Sequence, residues 1–245
     1  MRYLLLIILL SLTLTACGKP ATTPARTASD YLTEGEAMFD KGLYEDAIAN
    51  WEKVRESYYS PELNIIAELK IAEAYYLGEK YPEAAAAYED FLKQHPNHDR
   101  VPDAMYQLGL AYYKQILPPD RDQTATHNAM VTFQDLLKRF PGTREGEEIK
   151  VLINHCQDSL AAHEVVVGRF YLKTDRFDAA INRLEGVFKT YPNYYKRDEA
   201  WYYLGQAYVG KGEKAKAVKA FNTLIEDFAS SPYINKAQKA LKKYY

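Results

Sequence analysis

Apolar residues recur along the chain with the spacing of amphipathic helices. Five alanines mark the pattern, and each is followed four residues later by a bulky apolar side chain and seven residues later by another apolar one. This i, i+4, i+7 spacing places the three side chains on one helical face. The alanines are Ala47, Ala84, Ala129, Ala180 and Ala217, and a proline that ends the helix follows twelve residues after each of the middle three.

A second helix is predicted before each of these alanines. Each of these helices contains a small residue followed three positions later by a bulky one. The small residue lets two helices approach closely, and the bulky residue fills the gap beside it. The pairs are Gly35/Met38, Ala72/Tyr75, Gly109/Tyr112, Gly168/Tyr171 and Gly205/Tyr208. Turn sequences such as "DKGLY", "KTDRF" and "GKGEK" separate the two helices. The pattern therefore predicts five helix-turn-helix repeats of the tetratricopeptide type.

The repeat spacing is uneven, and this locates two insertions. The alanines lie 37, 45, 51 and 37 residues apart, against about 34 in a typical tetratricopeptide repeat. The additional residues of the first long interval lie at "LPPDRDQT", between the two helices of the third repeat. Those of the second lie at "EGEEIKVLINHCQDSL", which has no internal proline, so we predict one long helix from about Gly146 to Lys173.

The predicted fold is an all-α superhelical solenoid of five repeats closed by a C-terminal capping helix. Repeats one and two occupy residues 30–100, and repeat three occupies 101–143 with its insertion at 117–124. Repeat four, with the extended first helix, occupies 144–194, and repeat five occupies 195–232. The capping helix occupies 233–245.

The N-terminal segment predicts export and lipid attachment. A positive residue, Arg2, precedes an apolar run that is too short to span a bilayer, which is typical of a signal peptide, here residues 1–16. The sequence Leu14-Thr15-Ala16-Cys17 resembles the bacterial lipobox. That resemblance implies cleavage before Cys17 and a covalent diacylglycerol and N-acyl chain on it. Residues 17–29 read as a flexible tether, with the folded part starting near Asp30.

Composition and charge narrow the choice of ligand. The chain has 245 residues, of which 22 are tyrosine, and we assign most of these to packing between helices. Residues 30–100 contain 16 acidic and 7 basic residues, which argues against nucleic acid as a general ligand. Residues 211–245 contain 8 basic and 3 acidic residues, so this end is either a docking surface for an acidic partner or a solvated helix surface.

No catalytic constellation is present in the sequence. It lacks a glycine-rich phosphate loop, a G-x-S-x-G elbow and an H-E-x-x-H pair, so we predict that the protein is not an enzyme. Cys156 and His163 lie seven residues apart on the predicted long helix, either as part of a metal site or as a buried cysteine beside a surface histidine, and we predict no metal site. With two cysteines, one of them lipidated, no disulfide framework is expected.

Six side chains form a candidate binding stripe on the first helices of repeats one to three. The stripe is predicted either to line a peptide groove on the inner surface of the solenoid or to be packed core. Its members are Leu32, Phe39, Leu69, Tyr76, Tyr106 and Tyr113.

The arrangement of signal, lipobox, tether and five repeats resembles the BamD family, also called the YfiO or ComL family, of outer-membrane lipoproteins. The more specific pieces are "PDRDQ" at 119–123, which contains Asp120, Arg121 and Asp122, and "INRLEGVFKTYPN" at 181–193. In the family, the third-repeat insertion has a charged run of this kind. Gly18, rather than aspartate, after Cys17 implies the outer membrane, at its periplasmic face.

The resemblance implies a role in assembling outer-membrane β-barrel proteins. The amino-terminal repeats would recognise the C-terminal signals of unfolded outer-membrane proteins, which often end in an aromatic residue. The carboxy-terminal repeats would dock on the periplasmic part of the barrel subunit BamA, through Arg183 and Glu185. Other assembly lipoproteins are further candidate partners. The third-repeat insertion is shorter than in well-known members of the family, which argues against a contact made through that loop.

Two alternatives accompany this interpretation. Arg183 is either an interface residue or part of a surface ion pair with Glu185 or a neighbour. The whole protein is either a scaffold and substrate receptor in barrel assembly or another periplasmic repeat lipoprotein that acts as a cell-envelope or division adaptor. The lipobox and the "NRLEG" sequence favour the first.

Overall fold

The computed structural model describes residues 26–56 and 60–243, and this part of the chain consists of α-helices joined by turns and loops. In chain order the helices are α1 (Ala28–Phe39), α2 (Tyr44–Arg55), α3 (Pro61–Leu77), α4 (Tyr81–Gln94), α5 (Val101–Tyr113), α6 (Thr124–Arg139), α7 (Gly146–Lys173), α8 (Phe177–Thr190), α9 (Arg197–Lys211), α10 (Lys214–Asp227) and α11 (Ile234–Leu241). None of these helices is long and apolar enough to cross a lipid bilayer.

The helices form five consecutive pairs followed by α11, and each helix packs against the next one in the chain. The first helices of neighbouring pairs also touch, at α1–α3, α3–α5 and α7–α9. The described part of the protein is therefore an all-α solenoid of the tetratricopeptide type. Helix α7 has 28 residues, the same bounds as the predicted long helix.

Local sequence explains where the helices begin and turn. Thr27 and Asp30 form a capping box that starts α1 at Ala28, two residues before the predicted boundary at Asp30. Proline lies in the first turn of α3, α4 and α5, where its missing N–H costs nothing.

The turn inside a pair needs one residue in the left-handed region. Gly42 (φ 73°) and Gly212 (φ 84°) fill this position in the first and fifth pairs, and glycine adopts it without strain. Glu79 (φ 60°) and Asp175 (φ 55°) fill it in the second and fourth pairs. The third pair instead has the longer loop that connects α5 to α6.

The largest buried side chains of the core include those of the second helices that lie four residues after each of the five alanines. Trp51, Phe133, Leu184 and Phe221 are fully buried, and Tyr88 is 3% exposed. In four pairs this side chain packs on a glycine of the first helix, as Leu184 does on Gly168. In the second pair both Tyr88 and Ala72, the residue at the glycine position, belong to the buried core.

Composition predicts that most of the tyrosines pack between helices, and some of them lie at the junctions between pairs. Tyr194 and Tyr208 are buried, 3% and 6% exposed. One hydrogen bond recurs across two junctions. The hydroxyl of Tyr112 on α5 donates to Glu89 on α4, and the hydroxyl of Tyr208 on α9 donates to Glu185 on α8.

Candidate functional site

The six stripe residues are all half-buried, and they divide into two groups. Leu32 and Phe39 of α1 pack on the first pair's core, where the Phe39 ring lies 5.6 Å from the Trp51 ring. Tyr113 points to α7, and its hydroxyl is hydrogen-bonded to His155 Nδ1 at 3.0 Å. The structure therefore does not place these three residues in one groove with the other three.

Leu69, Tyr76 and Tyr106 do line a common pocket, between α3, α5 and the start of α7. The pocket has a volume of about 350 Å³. A second pocket, of about 430 Å³, continues it along α3 and shares Leu69. We call this continuous surface the α3 groove. Its apolar lining residues include Ile65, Ile66, Leu69, Tyr76, Leu77 and Tyr106.

Three of these apolar residues, Ile65, Ile66 and Leu77, are not in the predicted stripe. Ile66 is 40% exposed and Leu77 is 44% exposed, which is unusual for large apolar side chains. The sequence does contain a signal for them. The α3 sequence "PELNIIAELKIAEAYYL" has apolar residues on all sides of the helix, whereas a helix that only covers a core has a single apolar face.

Charged side chains of both signs surround the α3 groove. Glu73, Asp103 and Glu145 provide carboxylates, and Arg100 and Arg144 provide guanidinium groups. Each arginine is held by a neighbouring carboxylate. Arg100 Nε donates to Asp103 at 2.7 Å, and Arg144 Nε donates to Glu145 at 2.9 Å.

Glu145 and three tyrosines that line the groove, Tyr76, Tyr88 and Tyr106, have shifted pKa values. The hydrogen bond from Arg144 holds the pKa of the Glu145 carboxyl below its usual range. Burial, followed by the hydrogen bond to Glu148, raises the pKa of Tyr106 to about 12. The groove therefore presents phenol rings beside carboxylate and guanidinium side chains. Such a surface suits an extended peptide that has aromatic side chains and a charged end.

Arg183 of α8 forms an ion pair across to α7, with Glu164 and not with Glu185. Its Nη1 lies 3.0 Å and 3.1 Å from the two carboxylate oxygens. Glu185 instead accepts the hydroxyl of Tyr208. The two side chains are both exposed, so both reach the surface of the fourth repeat. Sequence spacing could not identify Glu164, because it lies 19 residues away on another helix.

The loop between α5 and α6 carries Asp120, Arg121 and Asp122, all three exposed. Gln123 organises this loop, since its amide donates to the carbonyls of residues 117, 118 and 121. His163 Nδ1 lies 2.7 Å from the Pro119 carbonyl oxygen and so fastens the loop to α7. Backbone and side-chain hydrogen bonds from Thr124 lower the pKa of Asp122.

Cys17 lies outside the described residues. Cys156 is buried in the core, where burial raises the pKa of its thiol to about 12, so the thiol is inert at neutral pH. His155 and His163 are hydrogen-bonded to Tyr113 and Pro119. Within the described part of the chain, no group of three or more histidine, cysteine, aspartate or glutamate side chains could hold a metal ion.

The fold and the α3 groove define a tetratricopeptide-type solenoid with a peptide-sized cleft on its first helices. The family described as "YfiO: Outer membrane lipoprotein" matches residues 24–220. The chain belongs to this family of outer-membrane lipoproteins.

Three relatives are each named outer membrane protein assembly factor BamD. The protein from Rickettsia prowazekii is 31% identical over 211 residues, which cover 86% of this chain and 84% of the relative. The protein from Caulobacter vibrioides is 28% identical, with coverage of 88% and 74%. The protein from Neisseria meningitidis serogroup A is 26% identical, with coverage of 97% and 95%.

Among solved structures, the chain is similar to one described as "TPR2AB-domain:pHSP90-complex of yeast Sti1". The sequence identity is 16%, the TM-score is 0.44, and the match covers 89% of this chain and 85% of that one.

Proposed function

We propose that this protein is a lipid-anchored scaffold and substrate receptor for the assembly of outer-membrane β-barrel proteins. Cys17 would carry the diacylglycerol and N-acyl chain and hold the solenoid at the periplasmic face of the outer membrane. The α3 groove would bind the C-terminal signals of unfolded outer-membrane proteins. The fourth and fifth repeats would dock on the periplasmic part of a BamA-type barrel subunit.

One observation supports the substrate site above the others. The α3 groove combines exposed apolar side chains, two half-buried tyrosines and two arginines in a single cleft, within a chain of the YfiO family. The tyrosines and Ile66 would contact an aromatic end residue. Arg100 or Arg144 would exchange its neighbouring carboxylate for the peptide's terminal carboxylate, which a guanidinium binds through two hydrogen bonds.

The proposal is tested by binding of a fluorescent peptide that ends in phenylalanine with a free carboxylate. Ile66→Gln should weaken binding several-fold because it removes an exposed apolar contact without disturbing the core. Tyr76→Ala combined with Tyr106→Ala should weaken it by about tenfold or more, since buried aromatic anchors dominate such interfaces. Fluorescence anisotropy measures both effects.

The matched control is Leu117→Gln, which changes a leucine that is 49% exposed and lies outside the groove. Its affinity should equal that of the unmodified protein. The same peptide with an amidated C-terminus should bind more weakly, because the arginines lose their partner. If Ile66→Gln and the tyrosine variant, with helix content unchanged by circular dichroism, bind as tightly as Leu117→Gln, the α3 groove is not the substrate site.

A further inference from the structure

Another pocket, distinct from the two that form the α3 groove, lies at the opposite end of the solenoid. It is formed between α9 and the terminal helix α11. It has a volume of about 240 Å³. Helix α9 contributes Tyr202, Gln206 and Val209, and α11 together with the turn after it contributes Lys236, Lys239 and Lys243. We call it the lysine pocket. It is separate from the α3 groove, because no residue of α9 or α11 lines that groove.

Every charged residue that lines the lysine pocket is a lysine. Within residues 26–56 and 60–243, the ion pairs near this end involve Lys211 and Lys216 and not these three lysines, and Lys236 Nζ lies 5.5 Å from the centroid of the Tyr233 ring. Lys211 of α9 and Lys216 of α10 behave differently. Lys211 is bound by Asp178 at 2.7 Å, and Lys216 is bound by Glu213 at 2.7 Å. The pocket thus concentrates positive charge that the described chain does not neutralise.

The other wall of the pocket is suited to an extended chain. The Tyr202 ring is fixed by stacking on Tyr233 at 4.9 Å, which leaves a rigid apolar surface. The Gln206 side chain lies between Tyr202 and Val209 on the pocket wall, and an amide can both donate and accept a hydrogen bond. A peptide backbone requires this combination of donor and acceptor, whereas an isolated anion requires donors alone.

We propose that the lysine pocket binds an extended acidic peptide segment of a partner protein. Acidic side chains would pair with the lysines, the backbone would contact Gln206, and an apolar side chain would lie on Tyr202. The pocket lies between two helices, so an extended chain could contact residues of both. Charge complementarity sets the occupant, because every charged residue that lines the pocket is a lysine and would pair with a carboxylate.

This inference does not depend on the substrate role proposed for the α3 groove. It is tested with the full-length protein and a short fluorescent peptide of aspartate and glutamate around one phenylalanine. We expect saturable binding by fluorescence anisotropy. Lys239→Gln combined with Lys243→Gln should weaken it roughly fivefold to tenfold, which is the effect of losing two charge pairs.

The matched control is Lys219→Gln combined with Lys242→Gln. Both lysines are exposed and outside the pocket, and the change in net charge is the same. This control should alter the affinity less than the pocket variant does. Equal weakening by the two variants would show nonspecific attraction and overturn the proposal. Two further results would also overturn it: equal binding of the same peptide with asparagine and glutamine, or binding to phosphatidylglycerol vesicles without binding to the acidic peptide.

Discussion

At the residue scale, the fold depends on one contact that is repeated along the solenoid. A glycine of the first helix faces an aromatic or branched side chain of the second, at Gly35, Gly109, Gly168 and Gly205. An added Cβ at Gly205 would overlap the buried Phe221 ring. The sequence pattern predicts these small residues as points of close approach. The structure shows that the partner is the side chain four residues after the marker alanine.

This contact predicts opposite effects for two glycine-to-alanine changes. Gly205→Ala should lower the free energy of unfolding by roughly 1–3 kcal/mol, because the extra methyl overpacks a core that cannot expand. Gly186→Ala is the matched control inside α8, where nothing lies within 4 Å of an added Cβ. It should raise the free energy of unfolding by roughly 0.5–1 kcal/mol, because alanine restricts the unfolded chain and favours the helix.

Urea unfolding followed by circular dichroism measures both values. Two destabilised variants would indicate that the Gly186 surface is in a contact that the structure does not show. An unaffected Gly205→Ala variant would contradict the packing described for the fifth pair, since the ring of Phe221 would then have to move aside at no cost.

At the element scale, adjacent pairs are joined by hydrogen bonds from tyrosine to glutamate. Tyr112 donates to Glu89 across the second junction, and Tyr208 donates to Glu185 across the fourth. The position is the same in both, since 23 residues separate donor and acceptor in each. Glu185, a candidate interface residue from the sequence, therefore also has a structural contact.

The Tyr112 contact predicts a loss of stability in alkaline solution. Burial, followed by the hydrogen bond to Glu89, raises the pKa of Tyr112 from 10.0 to about 12. Between these two values the unfolded chain loses the proton while the folded chain retains it. The stabilisation is therefore complete below pH 10 and is lost as the pH rises through 12. Tyr112→Phe should therefore lose less free energy of unfolding between pH 10 and 12 than the unmodified protein does.

Urea unfolding at a series of pH values tests this expectation. The difference between Tyr112→Phe and the unmodified protein should be constant below pH 10 and shrink between pH 10 and 12. A constant difference over the whole range would mean that the Tyr112 hydroxyl titrates alike in the folded and unfolded chains.

The helices themselves could be predicted from the sequence because their signals are local. Apolar spacing, proline and turn residues lie within one or two helical turns, and the 28-residue α7 is an example. The composition of the binding surfaces depends on contacts between distant segments. Arg144 reaches the α3 groove from the turn before α7, and Glu164 reaches Arg183 from another helix. The repeat spacing groups Tyr113 with Tyr76, but the Tyr113 hydroxyl is hydrogen-bonded to His155 on α7.

At the scale of the whole molecule, charge and apolar surface are distributed unevenly along the solenoid. The second and third pairs carry an apolar groove with charges of both signs, and the last helices carry a pocket whose charged residues are all lysines. Between them lies the exposed surface of α8. The two proposed binding sites and the proposed docking surface are therefore formed by different helices of the solenoid, so three proposed partners would contact different residues.

Docking on a barrel subunit would involve the whole solenoid, and substitution of Arg183 tests it. In the free protein its guanidinium is occupied by Glu164 on α7. Docking through Arg183 would require it to exchange this carboxylate for one on the partner. Exposed pairs of this kind contribute roughly 0–1 kcal/mol, so the exchange has a low cost. Arg183→Glu should therefore reduce co-purification of a BamA-type subunit from native membranes, because it places a negative charge at the contact.

Glu164→Gln provides the control that separates docking from folding. It breaks the same ion pair but leaves Arg183 positive and free to bind, so co-purification should be unchanged or increased. Arg183→Glu also places a second carboxylate beside Glu164, so its thermal stability should be somewhat lower than that of Glu164→Gln, by an amount that exposure to solvent keeps small. Equal recovery of the barrel subunit with Arg183→Glu would remove Arg183 from the interface. Equal losses with both variants would show that the ion pair matters only for the packing of α7 against α8.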